Sequence, residues 1–308
     1  MTTPVVTELV GRRTRFTDAP AEVVEVVRRM LGGLETIEDC TGGASTTVAA
    51  VIGGTEGWAF VKAAPCADAE SLINDARVLT HLSAIPHVPR VLAEDVVDSG
   101  EDDWQVLITS AAPGERVRHP WSDDDLAQVL DALCETREAL RTVEPAVAGD
   151  NRLEGFFSGW KAIAQDEAHP WHHRAKVWAP AEKALRRACR ESSRVVHGDV
   201  RADNVLTDGR RVTFVDWAQA AVGPGWVDGA LLLGDVIASR QDRDLPPHWE
   251  HEALQGADRT LVAATVASLA AFLFSRRDRH TPEHLPWLRS WQAAMAESLT
   301  PFVMEATL

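Results

Sequence analysis

The stretch that most restricts how this chain can fold runs from Val195 to Trp217. Val195-Val196-His197-Gly198-Asp199-Val200-Arg201-Ala202-Asp203-Asn204-Val205-Leu206 is followed by Val212-Thr213-Phe214-Val215-Asp216-Trp217. Apolar, largely β-branched residues on both sides of a polar centre predict short strands joined by a loop. That arrangement holds Asp199 and Asn204 on the loop and Asp216 at the end of the next strand, so three oxygen-bearing side chains converge. Carboxylate and amide oxygens suit a hard cation such as Mg²⁺, and a further carboxylate can take the proton of an attacking hydroxyl. Phosphoryl transfer uses both devices.

The remainder of the chain divides around residue 112. Three short strand patterns, Leu34 to Cys40, Thr46 to Ile52 and Gly57 to Ala63, are joined by the glycine-rich turns 41–45 and 53–56. Leu72, Ile73, Ala76, Leu79 and Leu82 recur at helical spacing and predict an amphipathic helix from Ala67 to Leu82. Two more strands are expected, Arg90 to Val97 and Trp104 to Ser110. Beyond them the pattern turns helical, beginning with a capping box at Ser122 and Asp125, so the acidic cluster Asp123 to Asp125 reads as a helix start. The expected fold class is α+β, with residues 1–112 forming a five-stranded antiparallel lobe with one helix and residues 113–308 a mainly helical lobe carrying the polar loop.

The H-G-D-x-x-x-x-N string of His197 to Asn204, with Asp216 downstream, resembles the catalytic loop of the aminoglycoside phosphotransferase and choline kinase family, relatives of the protein kinases. Trp217 and Ala218 stand where a protein kinase has Phe and Gly of its D-F-G motif, and no A-P-E segment follows. The resemblance covers roughly Ile37 to Leu233 and implies a two-lobed protein-kinase-like fold. It assigns Asp199 as catalytic base, Arg201 as a γ-phosphate contact, Asn204 and Asp216 as Mg²⁺ ligands, and His197 as a structural support of the loop. Asp203 could face the acceptor. Lys62, in Ala59-Phe60-Val61-Lys62, matches the lysine that reaches the α- and β-phosphates. Its helix partner would be Asp75, where Glu is usual, with Glu70 as the fallback. Gly42, Gly43 and Ser45 take the place of the phosphate-covering loop, and Thr109, Ser110 and Ala112 that of the segment reading the nucleotide base. Asp228 matches a position that anchors the catalytic loop. The implied activity is transfer of the γ-phosphate of ATP, or GTP, to a hydroxyl of a small molecule, an aminoglycoside or related antibiotic first. The alternatives are a kinase of an amino alcohol or another metabolite of choline or homoserine type, and a non-catalytic nucleotide-binding regulator.

Composition narrows the partners. With 31 basic against 46 acidic residues the formal charge is -15, which repels nucleic-acid phosphate and anionic lipid and tolerates a cationic acceptor. Neither nucleic acid nor membrane is an expected partner. Cys40, Cys66, Cys134 and Cys189 are scattered and suit a reducing compartment, and the N-terminus shows no secretory pattern. A cytoplasmic monomer is expected. Leu261 to Phe274, the longest apolar run, reads as a core helix. His169, His172, His173, His248 and His251 have no Cys nearby and no H-E-x-x-H pattern, so they read as capping or solvent-facing residues. Trp160, Trp171 and Trp178, with Phe156 and Phe157, read as core.

Overall fold

The computed structural model describes residues 13–40, 48–281 and 286–308. They form two compact units, one holding the chain up to Glu115 together with Leu206–Gln219, the other Arg116–Val205 and Ala220–Leu308.

In the smaller unit, helix α1 (Ala21–Met30) precedes strands β1 (Thr36–Asp39), β2 (Val48–Gly54) and β3 (Gly57–Pro65). Helix α2 (Glu70–His81) then leads to β4 (Val91–Asp98) and β5 (Asp103–Ser110). The five strands make one antiparallel sheet in the order β1-β2-β3-β5-β4. Because side chains alternate across a strand, Ala59, Val61 and Ala63 point to one face, where Val23, Val27, Ile52 and Ile108 bury with them. Lys62, between Val61 and Ala63, points to the other. The sheet and α2 appear where the sequence pattern predicts them. Helix α1 is an addition to the single helix expected in this lobe; its buried Val23 and Val27 lie one turn apart, a stripe too short to stand out beside its charged neighbours.

The division also differs from the 112/113 boundary. The first segment runs on to Glu115, its last residue beginning the two-residue strand β6 (Glu115–Arg116). Leu206–Gln219, expected with the helices, belongs with the sheet. Hydrogen bonds explain the assignment: Phe214 N donates to His87 O at 2.8 Å, Trp217 N to Asp75 Oδ1 at 2.9 Å, and Asn74 Nδ2 to Ala218 O.

The larger unit starts with α3 (Asp123–Ala139), whose cap forms as expected, Ser122 Oγ accepting from Asp125 N at 3.0 Å. After α4 (Gly159–Ile163) and α5 (Ala175–Glu191), strand β7 (Arg194–Val196) leads into the polar loop. Strands β8 (Val205–Thr207) and β9 (Val212–Phe214) follow in the chain and, Val205 apart, belong to the smaller unit; β10 (Ala221–Gly223), back in the larger one, pairs antiparallel with β7. Helices α6 (Val227–Arg240), α7 (Arg259–Arg276), α8 (Leu288–Ser298) and α9 (Thr300–Glu305) complete the chain. Among the described residues α7 alone is long and apolar enough to cross a membrane, yet Val262, Ala263, Val266, Ala267 and Ala270 along it are fully buried in the interior.

Candidate active site

Polar side chains gather at two places, one in each unit. In the smaller unit the Lys62 ammonium donates to Asp75 Oδ2 at 2.8 Å and to Asp216 Oδ1 at 3.1 Å. Lys62 is 9% exposed and Asp75 1%. Burial works against the lysine's charge, but Asp216 and Asp75 outweigh it and hold the ammonium above the ordinary lysine range. A buried charge requires such company, because desolvating it alone would cost several kcal/mol. Asp75 turns its second oxygen to Trp217 N, so the shorter acid in place of Glu still meets the lysine at full contact, and Glu70 is not used. Asp216 sits at φ 64, the left-handed region that costs most side chains about 1–2 kcal/mol. Such strain concentrates where function fixes a side chain's direction.

In the larger unit the β7–β10 pair presents the loop. Gly198 adopts φ 79, which is why a glycine precedes Asp199. Asp228, near the start of α6, accepts from His197 N at 2.8 Å and Gly198 N at 2.9 Å, the anchoring position expected of it. Burial pushes its carboxyl up, opposed by His197. His197 is 1% exposed, and its Nδ1 accepts from Asp199 N at 3.3 Å. Asn204 Nδ2 donates to Asp199 O at 2.9 Å and Asp199 Oδ2 at 3.0 Å. With both amide hydrogens committed to Asp199, Oδ1 is the atom Asn204 can offer a cation. Arg201 lies 3.3 Å from Asp199 and 3.0 Å from Asp203, with its guanidinium 4.9 Å from the Trp291 ring centroid. Its charge is therefore engaged by carboxylates and an indole. Burial pushes the Asp203 carboxyl up, against the pull of Arg201.

The phosphotransferase enzyme family (APH) matches residues 36–263. The chain belongs to that family. No curated protein matches it in sequence. Solved structures with the family's fold include aminoglycoside phosphotransferase APH(4)-Ia, at 16% identity and a TM-score of 0.51, covering 91% of this chain and 99% of that one. A thermostable variant of APH(4)-Ia, in ternary complex with AMP-PNP and hygromycin B, aligns at 16% identity and a TM-score of 0.52, covering 92% and 99%. Amicoumacin kinase hAmiN, in complex with AMP-PNP, Ca²⁺ and Ami, aligns at 11% identity and a TM-score of 0.52, covering 90% and 93%. Together they show that this chain has the fold of a phosphotransferase of this family.

Gly42, Gly43 and Ser45 lie outside the described residues. Thr109 and Ser110 are built into the sheet, paired with Phe60 and Ala59. The Ser110 amide donates to Arg90 O at 2.8 Å and its hydroxyl accepts from Arg90 N at 3.0 Å, so Ser110 closes the end of β5, an inner strand of the sheet, and the chain leaves the ladder beyond it, towards Ala112. The histidines act locally: His169 Nδ1 accepts from Trp171 N and His251 Nδ1 from Ala253 N. No group of three or more His, Cys, Asp or Glu side chains suited to a metal occurs among the described residues. Trp160, Trp171 and Trp178 are core, 0%, 3% and 0% exposed, with Trp160 Nε1 donating to Ala267 O and Trp178 Nε1 to Val303 O.

One residue of the loop's surroundings escaped the sequence reading. Asp235 Oδ2 accepts from Ala202 N at 2.9 Å, His119 Nε2 at 2.9 Å and Trp121 Nε1 at 2.8 Å. The available signal was its spacing. Seven residues after Asp228 in the otherwise apolar run Val227 to Ala238, it returns to the same face of the helix two turns on.

Proposed function

We propose that the protein transfers the γ-phosphoryl group of ATP to a hydroxyl of a small molecule. The observation that carries this reading is the Lys62 ammonium fixed between Asp75 and Asp216. Phosphoryl-transfer enzymes of the kinase type use a strand lysine held by a helix acid, together with a metal-binding aspartate, to receive a nucleoside triphosphate.

In this reading Asp199 accepts the proton of the acceptor hydroxyl. The hydroxyl oxygen forms its bond to the γ-phosphorus, the bond from that phosphorus to the β,γ-bridging oxygen breaks, and ADP leaves. Lys62 meets the α- and β-phosphate oxygens, and Arg201, beside Asp199, presents its positive charge to the transferring group. Asn204 Oδ1 and the Asp216 carboxylate are hard oxygen donors that fit Mg²⁺, and they would hold it. When bound, Mg²⁺ supplies neutralisation of the phosphate charge. GTP would meet the same groups.

A cationic acceptor is favoured by the charge of -15, which raises the local concentration of cations. Aminoglycosides are therefore the first class to test, and the APH(4)-Ia variant bound to hygromycin B is consistent with that choice. The experiment is ADP release from ATP and Mg²⁺ across a panel of aminoglycosides, other hydroxylated antibiotics and amino alcohols. Acceptor-dependent ADP formation is expected. Tight nucleotide binding with no turnover on any acceptor would favour the regulator, and absence of nucleotide binding would remove the reading altogether.

A further inference from the structure

We infer that Asp235 is a positioning residue for Asp199 and Asn204, acting through the Ala202 amide; this rests on the phosphotransferase reading above. Helix α6 carries two carboxylates on one face, and they hold opposite ends of the loop. Asp228 takes the amides of His197 and Gly198, before Asp199. Asp235 takes the amide of Ala202, which opens the single helical turn Ala202–Asn204. Fixing that turn fixes Asn204, whose Nδ2 in turn holds Asp199 Oδ2 at 3.0 Å.

The cost of placing Asp235 here argues against a purely structural origin. It is 5% exposed on a helix whose neighbours Leu231, Leu232, Val236 and Ile237 are buried apolar side chains. An apolar residue would pack at such a position without the desolvation penalty. What it could not do is accept from Ala202. The chain entering α3 is arranged around the same oxygen, with His119 and Trp121 both donating to Oδ2. Three donors on one oxygen leave the carboxylate a single orientation, so the amide it holds is fixed as well.

Three variants test this: Asp235→Asn, Trp121→Phe, which removes one donor and keeps a ring, and His119→Gln, which keeps a side-chain N–H donor. With ATP and an acceptor from the panel, Asp235→Asn is expected to lower kcat about 10- to 100-fold, the range in which small misplacements of reacting groups fall. KM for nucleotide should rise by less than kcat falls, since the Lys62 cluster is untouched and Asn204 is displaced rather than removed. Hydrogen exchange should rise in peptides spanning 199–204 and stay unchanged in those of β2 and β3. Trp121→Phe should repeat the pattern more weakly, and His119→Gln should remain close to the parent protein. Loop exchange rising with kcat unchanged would overturn the inference, as would a fall in melting temperature with exchange rising throughout. Should the parent protein transfer no phosphate, the proposed function fails by itself. The exchange arm still decides, because unchanged 199–204 exchange in Asp235→Asn overturns the role of Asp235.

Discussion

The polar cluster of the smaller unit and the polar loop of the larger one are held by different interactions. Around Lys62, charge meets charge: one ammonium between two carboxylates, with Asp75 buried and Asp216 partly open. Around Asp199, charge meets backbone: the carboxylates of Asp228 and Asp235 hold main-chain amides, and Asn204 holds Asp199 itself. An ion cluster can exchange a partner when a triphosphate and a cation arrive, because its members are side chains. An amide grip sets the path of the chain and should alter little. The cluster is therefore suited to binding, and the loop to keeping a proton acceptor in place.

Substitutions can break that contrast. The largest effect is expected from Asp199→Asn, which should cost about 10²- to 10⁴-fold in turnover while leaving nucleotide affinity near the parent value, as followed by ADP release and calorimetric titration. Lys62→Ala should do the opposite of a local change. It leaves Asp75 buried without its cation and should destabilise the fold by about 3–5 kcal/mol, read from denaturant unfolding, whereas Lys62→Met should cost less. Asp216→Ala should keep most of the stability, since Asp75 still pairs with Lys62, but should weaken Mg²⁺-dependent nucleotide binding about tenfold or more; equal affinity with and without Mg²⁺ in the parent protein would end the metal assignment.

The smallest effect concerns pH. Burial works against the charge of His119, but Asp235 outweighs it and raises the imidazole above its ordinary value. Burial likewise opposes the charge of Asp235, and the hydrogen bond from His119 outweighs that, holding its carboxyl below the ordinary value. The histidine's contribution to stability is then complete below its unfolded value and is lost as pH rises through the raised one. The aspartate's is present above its unfolded value and is lost as pH falls through the depressed one. Melting temperature should decline as pH rises past the ordinary histidine value of 6.5, and this part of the decline should vanish in His119→Gln.

Much of this was legible in the sequence because turn residues separate the apolar strand patterns of the sheet and the loop places its polar residues between apolar strands. Lys62, Asp75, Asp199, Asn204, Asp216 and Asp228 each carried a positional signal. Asp235 carried only its seven-residue spacing from Asp228, and a second acid in an apolar helix gives no hint of the amide it meets 33 residues away. Nor could spacing alone show that Arg201 would face Asp199, Asp203 and Trp291, because the indole arrives on a helix from near the end of the chain. The contact of the Ser110 hydroxyl was as little visible: it accepts from Arg90 N, just before β4, a pairing that local composition does not reveal.

The assignment of Leu206–Gln219 to the smaller unit bears on how the protein is made. A ribosome releases Lys62 and Asp75 early, but Asp216 emerges only after the whole of Arg116–Val205 has been synthesised. Until then the nascent sheet carries an ion pair lacking its third member and the Trp217 amide. A fragment ending at Glu115 would stay in that half-finished condition, so the smaller unit cannot be obtained by trimming the gene from one end.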